Sequence, residues 1–474
     1  MYKGLGILIL ACMLMGCFRP NYQPQYVDIP SEWRLTADEG STLCNVRWWE
    51  QFNDPVLDNL ILSALANNQN LKIAINRVFE YYNKLGVVNA NLYPAVTGNA
   101  SYQRIQTSAA VPISLAPGFQ RIYNNYQAFF NLNWELDFWG RLASASEAAY
   151  GELLGTIEAR RAVVLTVVAS VADAYINLRN LDSQLEVSKK TQFSREESLK
   201  LALSRFELGE TSELEVKQAE AELEIALIRV IEFEKAIPIQ ENQLSILLGE
   251  NPHAIVRGIP IESFQYPPLI PAGLPSELLS RRPDILQAED QLITANARVT
   301  ESKALFFPQI SLTGMYGSQS SDLKRFLTAP SEMWQYGFNA VQTIFDAGRI
   351  LFLVEGAKSI REEALANYRQ VILNAFSEVN NALVTTQKNQ ELLREHRKQV
   401  QILIDYLHLA QLRYFEGEVD FLNVLDAERL LFDAQLALVQ SFADNSSAVV
   451  ELYKSLGGGW VSDADNVAVG ADLQ

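Results

Sequence analysis

The segment Arg205–Glu210 reads RFELGE, and a matching segment, RYFEGE, occurs at Arg413–Glu418, about 208 residues later. Two dipeptides recur with the same separation: Gly140-Arg141 as Gly348-Arg349, and Leu248-Gly249 as Leu456-Gly457. Solenoid repeats have periods of about 20–50 residues, so a repeat this long indicates a duplicated domain. The sequence therefore predicts two similar halves, at residues 54–257 and 276–460.

The segment between the two halves, residues 258–275, carries five prolines and no helical periodicity. This composition predicts a linker. Residues 461–474 are mostly small or polar. They are expected to form a flexible tail.

Each half contains stretches in which apolar and polar residues alternate. From Tyr126 to Phe138 the even positions are apolar and the odd positions are polar, with Phe129 as the only exception. Such alternation predicts strands with one apolar face and one polar face. We expect two strands within residues 95–138 and two within residues 309–345, each pair joined by a loop rich in Pro, Gly and Ser.

Helical patterns surround each pair of strands. One helix is expected before each pair, from Asp54 to Tyr93 and from Ser280 to Phe307. After each pair a proline-free stretch of about 68 residues carries apolar residues at spacings of three and four, which predicts a coiled-coil rod of about 100 Å. The rods run from Arg141 to about Leu208 and from Arg349 to about Glu416. Gly209 and Gly417 suit left-handed helix caps, and return helices follow to Leu248 and Leu456.

Composition excludes several classes of function. The net charge of −17 argues against a nucleic-acid partner. The three cysteines and three histidines form no metal-binding or disulfide pattern. The chain has no phosphate-binding loop, no nucleophile elbow and no zinc-protease motif, so neither an enzyme nor a cofactor is predicted.

The N-terminus resembles a bacterial lipoprotein leader. Lys3 precedes an apolar run that is too short to span a bilayer, and Leu14-Met15-Gly16-Cys17 resembles a lipobox. Residues 1–16 are therefore expected to be a signal peptide, and residues 17–53 an extension that carries a covalent lipid on Cys17. Phe18 rather than Asp follows the cysteine, which by analogy indicates the outer membrane. An ordinary secretory leader is the alternative.

Four amphipathic strands cannot enter a membrane alone, because their edges would leave backbone groups unpaired in lipid. Two copies of the chain would give eight strands, a barrel whose interior side chains fill. Three copies would give twelve strands and leave a lumen. The polar face, rich in Asn, Gln, Ser, Thr and Gly, favours a water-filled pore. The alternative is a soluble β-sandwich with coiled-coil arms.

An ordered set of motifs resembles the TolC/OprM-type outer-membrane efflux ducts of the lipoprotein branch. The resemblance covers nearly all of the mature chain. Its motifs are Trp48-Trp49 with Phe52 and Asp54-Pro55, WELDFWGR at Trp134–Arg141, RRPDI at Arg281–Ile285, FDAGR at Phe345–Arg349, and LGGGW at Leu456–Trp460.

The resemblance implies an all-α coiled-coil barrel joined to a membrane β-barrel, with a homotrimer sharing twelve strands and a helical periplasmic tunnel. Such a duct is the lipid-anchored exit channel of a tripartite system that exports small molecules such as drugs. Its implied partners are a periplasmic adaptor, an inner-membrane transporter of the RND type and outer-membrane lipids. Heavy-metal efflux and type I secretion remain alternatives, and a coiled-coil envelope scaffold fits the strands less well.

The resemblance also assigns a periplasmic gate to the return helix of the second half. The matching residues lie at spacings of four and three, which places them on one helix face: Leu422, Asp426 and Arg429. The equivalent positions of the first half lack a charged pair: Leu214, Gln218 and Ala221. An ordinary exposed ion pair is the alternative reading of Asp426 and Arg429.

The turns at the rod ends are expected, by the same resemblance, to dock onto the adaptor. The residues concerned are Arg205, Gly209, Arg413 and Gly417; plain helix capping is the alternative. Three acidic residues lie near the junction of strands and rods: Glu135, Asp137 and Asp346. They are interpreted either as a source of cation preference or as solvated strand ends.

Overall fold

The computed structural model of the chain describes residues 30, 33, 47–108, 110, 120–265 and 275–458. The predicted signal peptide, Cys17 and the tail at 461–474 lie outside these residues, as does most of the loop between the first two strands. The chain folds into two compact units. Among the described residues, one unit contains 78–156 and 287–368, and the other contains the remainder.

The first half begins with two helices rather than the single helix expected from Asp54 to Tyr93. A 3₁₀ turn at Trp48–Phe52 precedes helix α1 (Pro55–Asn67) and helix α2 (Gln69–Ala90). Asn68 separates the two helices, because its side chain accepts a hydrogen bond from the Leu71 N–H and donates one to the Leu247 carbonyl. An asparagine that caps a helix gives no break in the apolar pattern, so the sequence did not reveal the boundary.

Four strands form one antiparallel sheet in the order β1-β2-β3-β4. Their bounds are Ala95–Gln106, Ile122–Leu136, Gln309–Ser320 and Glu332–Val341. Strand β2 pairs with β1 on one side and with β3 on the other, which joins the two halves of the chain in one sheet. Within the described residues, β1 and β4 have a neighbouring strand on one side only. The predicted strands are present, and the sheet has two open edges.

The two long helices are present at the expected places. Helix α3 (Arg141–Glu207) and its return helix α4 (Glu213–Leu248) belong to the first half. The second half contains helix α5 (Pro283–Ala304), the long helix α6 (Arg349–Phe415) and the return helix α7 (Phe421–Ser455). Helix α5 starts three residues later than expected because a one-turn helix at Leu278–Arg281 ends before Pro283.

The rods end in left-handed glycines, as predicted. Gly209 and Gly417 have φ of +74° and +76°. At each turn the N–H of the following glutamate bonds to the carbonyl five residues back, from Glu210 to Arg205 and from Glu418 to Arg413. This is the Schellman arrangement, in which glycine avoids the strain that a Cβ would bring.

The apolar stretch of α3 from Ala162 to Ile176 packs inside the protein. Among the helices of the described residues, α3 alone is long and apolar enough to cross a membrane, but half of its apolar segment is buried within the protein. Asp173 lies in this stretch, and burial raises its pKa to about 6, with the hydrogen bond to Ser447 opposing the shift. This stretch therefore packs as a buried segment of a long helix.

The start of the predicted linker is part of the core. Ile261 and Phe264 are buried, and the Phe264 ring lies 5.6 Å from that of Phe52. Gly258 donates its N–H to the Tyr175 hydroxyl, which in turn donates to the buried carboxylate of Asp54. The sequence did not reveal this packing, because a non-helical segment that buries isolated side chains shows no periodicity.

The RRPDI motif has a structural explanation. Arg282 is buried and donates to both oxygens of Asp284, to Glu378 on α6 and to the Ser455 carbonyl at the end of α7. Its neighbour Arg281 is less buried and pairs with Glu277. Because one guanidinium joins three segments of the second half, the motif fixes where those segments meet.

Candidate channel wall and gate

The two faces of the sheet differ in chemistry. The register places a row of large apolar side chains on one face, and these are exposed: Val96, Tyr102, Phe130, Leu132, Tyr316, Trp334, Tyr336 and Phe338. Ring contacts confirm that they share this face, since Tyr102 stacks on Tyr126 at 4.8 Å and Trp334 on Tyr336 at 5.7 Å. An exposed apolar face rich in aromatic residues is what lipid contact requires.

The opposite face carries mostly polar side chains, among them Thr97, Asn99, Ser101, Gln127, Asn131, Asn133, Thr313, Gln319 and Gln335. Gln319 donates to Asn125 across the β2–β3 pair at 3.0 Å. This face suits contact with water, because its amides and hydroxyls form hydrogen bonds but cannot fill an apolar core.

Phe129, the exception to the alternation, lies on the polar face opposite Gly317 of β3. A Cβ on Gly317 would come within 2.7 Å of Phe129 Cδ1 and 2.0 Å of the Ala128 carbonyl oxygen. The aromatic ring therefore occupies space that only a glycine leaves open. The sequence contained both residues, but only the register shows that they are partners.

The carboxylates near the strand ends hold helix N-termini. Asp137 accepts from the Ala143 N–H at 2.7 Å, and Asp346 accepts from the N–H groups of Gly348 and Ile350. Glu135 receives a bidentate hydrogen bond from Arg141. These contacts support a structural role, since a carboxylate caps the positive end of a helix. They offer no support for the suggested cation preference.

At the turns, the two equivalent arginines have different surroundings. Arg205 donates to the Tyr414 hydroxyl, its guanidinium lies 5.0 Å from the centre of that ring, and Tyr414 donates to Glu215 at 3.2 Å. Burial and the Glu215 carboxylate raise the pKa of Tyr414. Arg413 bonds to Glu418 at 3.0 Å within its own turn and is 63% exposed, against 29% for Arg205. Of the two, Arg413 is therefore the more accessible to another protein.

A small apolar core lies beneath both turns. It unites residues of all four rod and return helices: Ala202 of α3, Val216 and Ala219 of α4, Ala410 of α6, and Phe421, Val424, Leu425 and Ala427 of α7. Tyr414 packs against this core, and its ring lies 5.3 Å from that of Phe421. The first turns of both return helices are thus held against the rods.

The predicted gate residues lie on the exposed side of α7. Leu422 is 60% exposed, and Arg429 donates to Asp426 at 2.6 Å within the same helix. In the first half, Leu214 is exposed and neither Gln218 nor Ala221 can form an ion pair. The structure brings the three gate residues to one face, as expected, and leaves this face uncovered within one chain.

Among the described residues, no cluster of three or more His, Cys, Asp or Glu side chains is arranged to hold a metal ion.

The sequence profile described as "Outer membrane efflux protein" matches residues 60–250 and 274–458, one match in each half. This chain belongs to that family. The chain is 34% identical over 475 residues to the "Solvent efflux pump outer membrane protein SrpC" of Pseudomonas putida, with 97% of this chain and 98% of that protein covered. It is 31% identical over 463 residues to the "Cation efflux system protein CusC" of Escherichia coli, with 95% and 97% covered.

The fold agrees with this assignment. The outer membrane channel CmeC of Campylobacter jejuni superposes with a TM-score of 0.88 at 26% identity, covering 96% of this chain and 98% of that one. The chain is thus an outer-membrane efflux channel, built from a helical tunnel segment and strands of a barrel, and it serves as the exit duct of a tripartite efflux system. The family is one of channels rather than enzymes.

Proposed function

We propose that three copies of this chain close a twelve-stranded barrel in the outer membrane. The observation that carries the proposal is a four-stranded sheet with two open edges, one aromatic face and one polar face. Eight strands would leave room only for side chains, whereas twelve enclose water. Edge-to-edge pairing between copies satisfies the backbone groups of β1 and β4, as a bilayer demands.

We also propose that Leu422, Asp426 and Arg429 form the periplasmic gate. Their exposed face on α7 would be covered by the same face of neighbouring copies, which brings three leucines and three ion pairs around one axis. The first half lacks the ion pair, so closure depends on the second-half helices.

The proposed cargo is small organic molecules such as drugs and solvents. Relatives with this fold are named for solvent, toluene, antibiotic and cation efflux. The lipid-anchored branch favours small molecules over protein export, and the described residues contain no metal-binding cluster.

A strain that lacks this chain is expected to become several-fold more sensitive to lipophilic antibiotics and solvents, and a plasmid copy is expected to restore resistance. Sensitivity to silver and copper ions alone would instead favour cation efflux.

The partners are proposed to be a periplasmic adaptor and an RND-type transporter, with the turns at Gly209 and Gly417 as the docking sites. Arg413→Ala is expected to weaken co-purification of the adaptor, because this arginine is 63% exposed and donates its hydrogen bond to Glu418 of its own turn. Arg205→Ala is expected to weaken co-purification of the adaptor indirectly, because it releases Tyr414 from its hydrogen bond. Full adaptor recovery with both arginines replaced would leave only the capping role of the glycines. Trimer yield serves as the control.

Cys17 is proposed to carry the covalent lipid that anchors the mature N-terminus. The barrel would dominate insertion, because its strands bury far more apolar surface than a lipid anchor, and the lipid would act in sorting. Intact-mass analysis of the mature protein tests this, and an unacylated N-terminus would refute it.

A further inference from the structure

A buried arginine lies where three helices of the two halves meet. Arg195 of α3 is 2% exposed, and its Nη1 donates to the Glu222 carbonyl of α4 at 2.5 Å. Its Nη2 lies 3.0 Å from Glu222 Oε2. The guanidinium carbon lies 5.2 Å from the centre of the Phe432 ring of α7, which is a cation–π contact.

Glu428 brings a second carboxylate to this site from α7. It is buried, and Ser198 of α3 donates to its Oε1 at 3.3 Å. Burial raises the pKa of Glu428, while Arg195 and Ser198 oppose the shift and Glu222 adds to it. Burial likewise lowers the pKa of Arg195, against the attraction of Glu222, Glu428 and Asp433. Arg195 thus pairs with Glu222 of the first half, and its charge also attracts Glu428 of the second half.

The hydrogen bonds of this cluster are incomplete. Within the described residues, Arg195 Nε and one oxygen each of Glu222 and Glu428 have no hydrogen-bond partner. Arg195 Nη2 is close to Glu222 but outside hydrogen-bond geometry, so charge attraction holds the pair. A buried ion pair of this kind is sensitive, because removing one partner leaves the other charge uncompensated.

The position of Glu428 connects the cluster to the gate. It lies between Asp426 and Arg429 in sequence, yet it is buried while they are exposed. At 100° per residue, Glu428 points away from the face that Leu422, Asp426 and Arg429 share. A rotation of the gate face of α7 relative to α3 would therefore also move Glu428 away from Ser198.

We propose that the contact of Arg195 with Phe432 and the hydrogen bond of Ser198 to Glu428 form a latch that holds α7 against α3, and so set how readily the gate opens. The latch rests on the proposed gate, but its residues are separate from it. Arg195 and Glu428 are positioning residues, which act on the gate through the placement of α7.

Glu428→Gln is the decisive variant, because it keeps the shape of the side chain and removes its charge. In planar bilayers, full-length Glu428→Gln trimers are expected to show about a fivefold higher open fraction than wild type, at the low end of coupling between sites. Glu222→Gln is the matched control. It removes the carboxylate that pairs with Arg195 within the first half but leaves the α3–α7 contacts of Arg195 with Phe432 and of Ser198 with Glu428, so we expect a much smaller change in the open fraction.

The pH dependence of channel opening distinguishes a latch from a general loosening of the helices. Glu428 is faced by Arg195 and Ser198 of α3 and Glu222 of α4, with Asp433 on its own helix. Because the pKa of Glu428 is raised, acidification protonates it before an ordinary glutamate. Wild-type opening is therefore expected to increase as the pH falls, and this increase is expected to be reduced in Glu428→Gln.

The outcomes distinguish the latch from the gate. If Asp426→Ala with Arg429→Ala opens the channel but Glu428→Gln does not, the latch is wrong and the gate stands. If neither opens it, the gate itself fails. An equal rise in Glu222→Gln and Glu428→Gln would also overturn the latch. Should Glu428→Gln fail to assemble as a trimer, Ser198→Ala, which removes only one hydrogen bond to Glu428, is read by the same criteria.

Discussion

Gly317→Ala is expected to prevent assembly of the trimeric barrel, whereas Gly314→Ala, on the same strand, is expected to leave assembly intact. A Cβ on Gly317 would lie 2.0 Å from the Ala128 carbonyl oxygen and 2.8 Å from Phe129 Cα, both backbone atoms of the paired strand. Strands in a sheet lie about 4.7–4.9 Å apart and cannot separate locally without loss of their hydrogen bonds. No movement of a side chain can relieve a clash of this size with backbone atoms.

Gly314 provides a matched control because it lies on the opposite face of the same strand. Its Cβ would lie 3.6 Å from Leu132 Cβ, an ordinary contact, so Gly314→Ala tests the loss of glycine without a clash. The measurement is the heat-modifiable trimer band from outer-membrane fractions, together with the total amount of protein. Normal trimer from Gly317→Ala would show that β2 and β3 do not pair in this register.

A double variant tests whether the Phe129 ring or the backbone causes the loss of assembly. Replacing Phe129 with Ala in the Gly317→Ala background removes the ring but leaves the clash with the Ala128 carbonyl oxygen. Assembly is therefore expected to remain impaired. Restored assembly would mean that the ring, rather than the backbone, is the obstacle.

The strands were predictable because side chains of a half-exposed strand alternate between an apolar and a polar face. Residues Tyr126–Phe138 follow this alternation with one exception. That exception shows the limit of the prediction. Phe129 is tolerated on the polar face because Gly317, almost 190 residues later, lies opposite it. The pairing is set by register between the two halves, which one strand's sequence does not contain.

The duplication also concealed a difference at the turns. Arg205 and Arg413 are equivalent in sequence, but Arg205 bonds to Tyr414 in the other half. The residue equivalent to Tyr414 in the first half is Phe206, which has no hydroxyl group to offer Arg413. A comparison of the two halves at this position would have predicted unequal roles for the arginines.

The latch residues gave a weaker signal. The position equivalent to Arg195 in the second half is Leu403, and that equivalent to Glu222 is Leu430. A charge in one half where the other half carries leucine marks a difference between the halves, but it does not show that the charge is buried, since Leu430 itself is 40% exposed. The signal does not identify the partner, because Glu428 reaches the site from the other half through tertiary packing alone.

Replacing Asp426 and Arg429 together with alanine is expected to raise single-channel conductance several-fold in planar bilayers. Within one chain the pair is exposed, so its loss is expected to cost α7 less than about 1 kcal/mol. Any large change in conductance must then come from contacts between copies. The same variant is expected to admit large antibiotics into cells, since an opened duct bypasses the outer-membrane barrier.

The chain offers a control with the same chemistry and spacing. Arg229 and Glu232 on α4 form an exposed ion pair three residues apart at 2.9 Å. Their replacement with alanine removes an equivalent pair, away from the proposed gate, and is expected to leave conductance unchanged. If both double variants raise conductance equally, loss of surface charge is the cause. If neither does so while trimers form normally, Asp426 and Arg429 are an ordinary surface pair, and the constriction lies elsewhere in the duct.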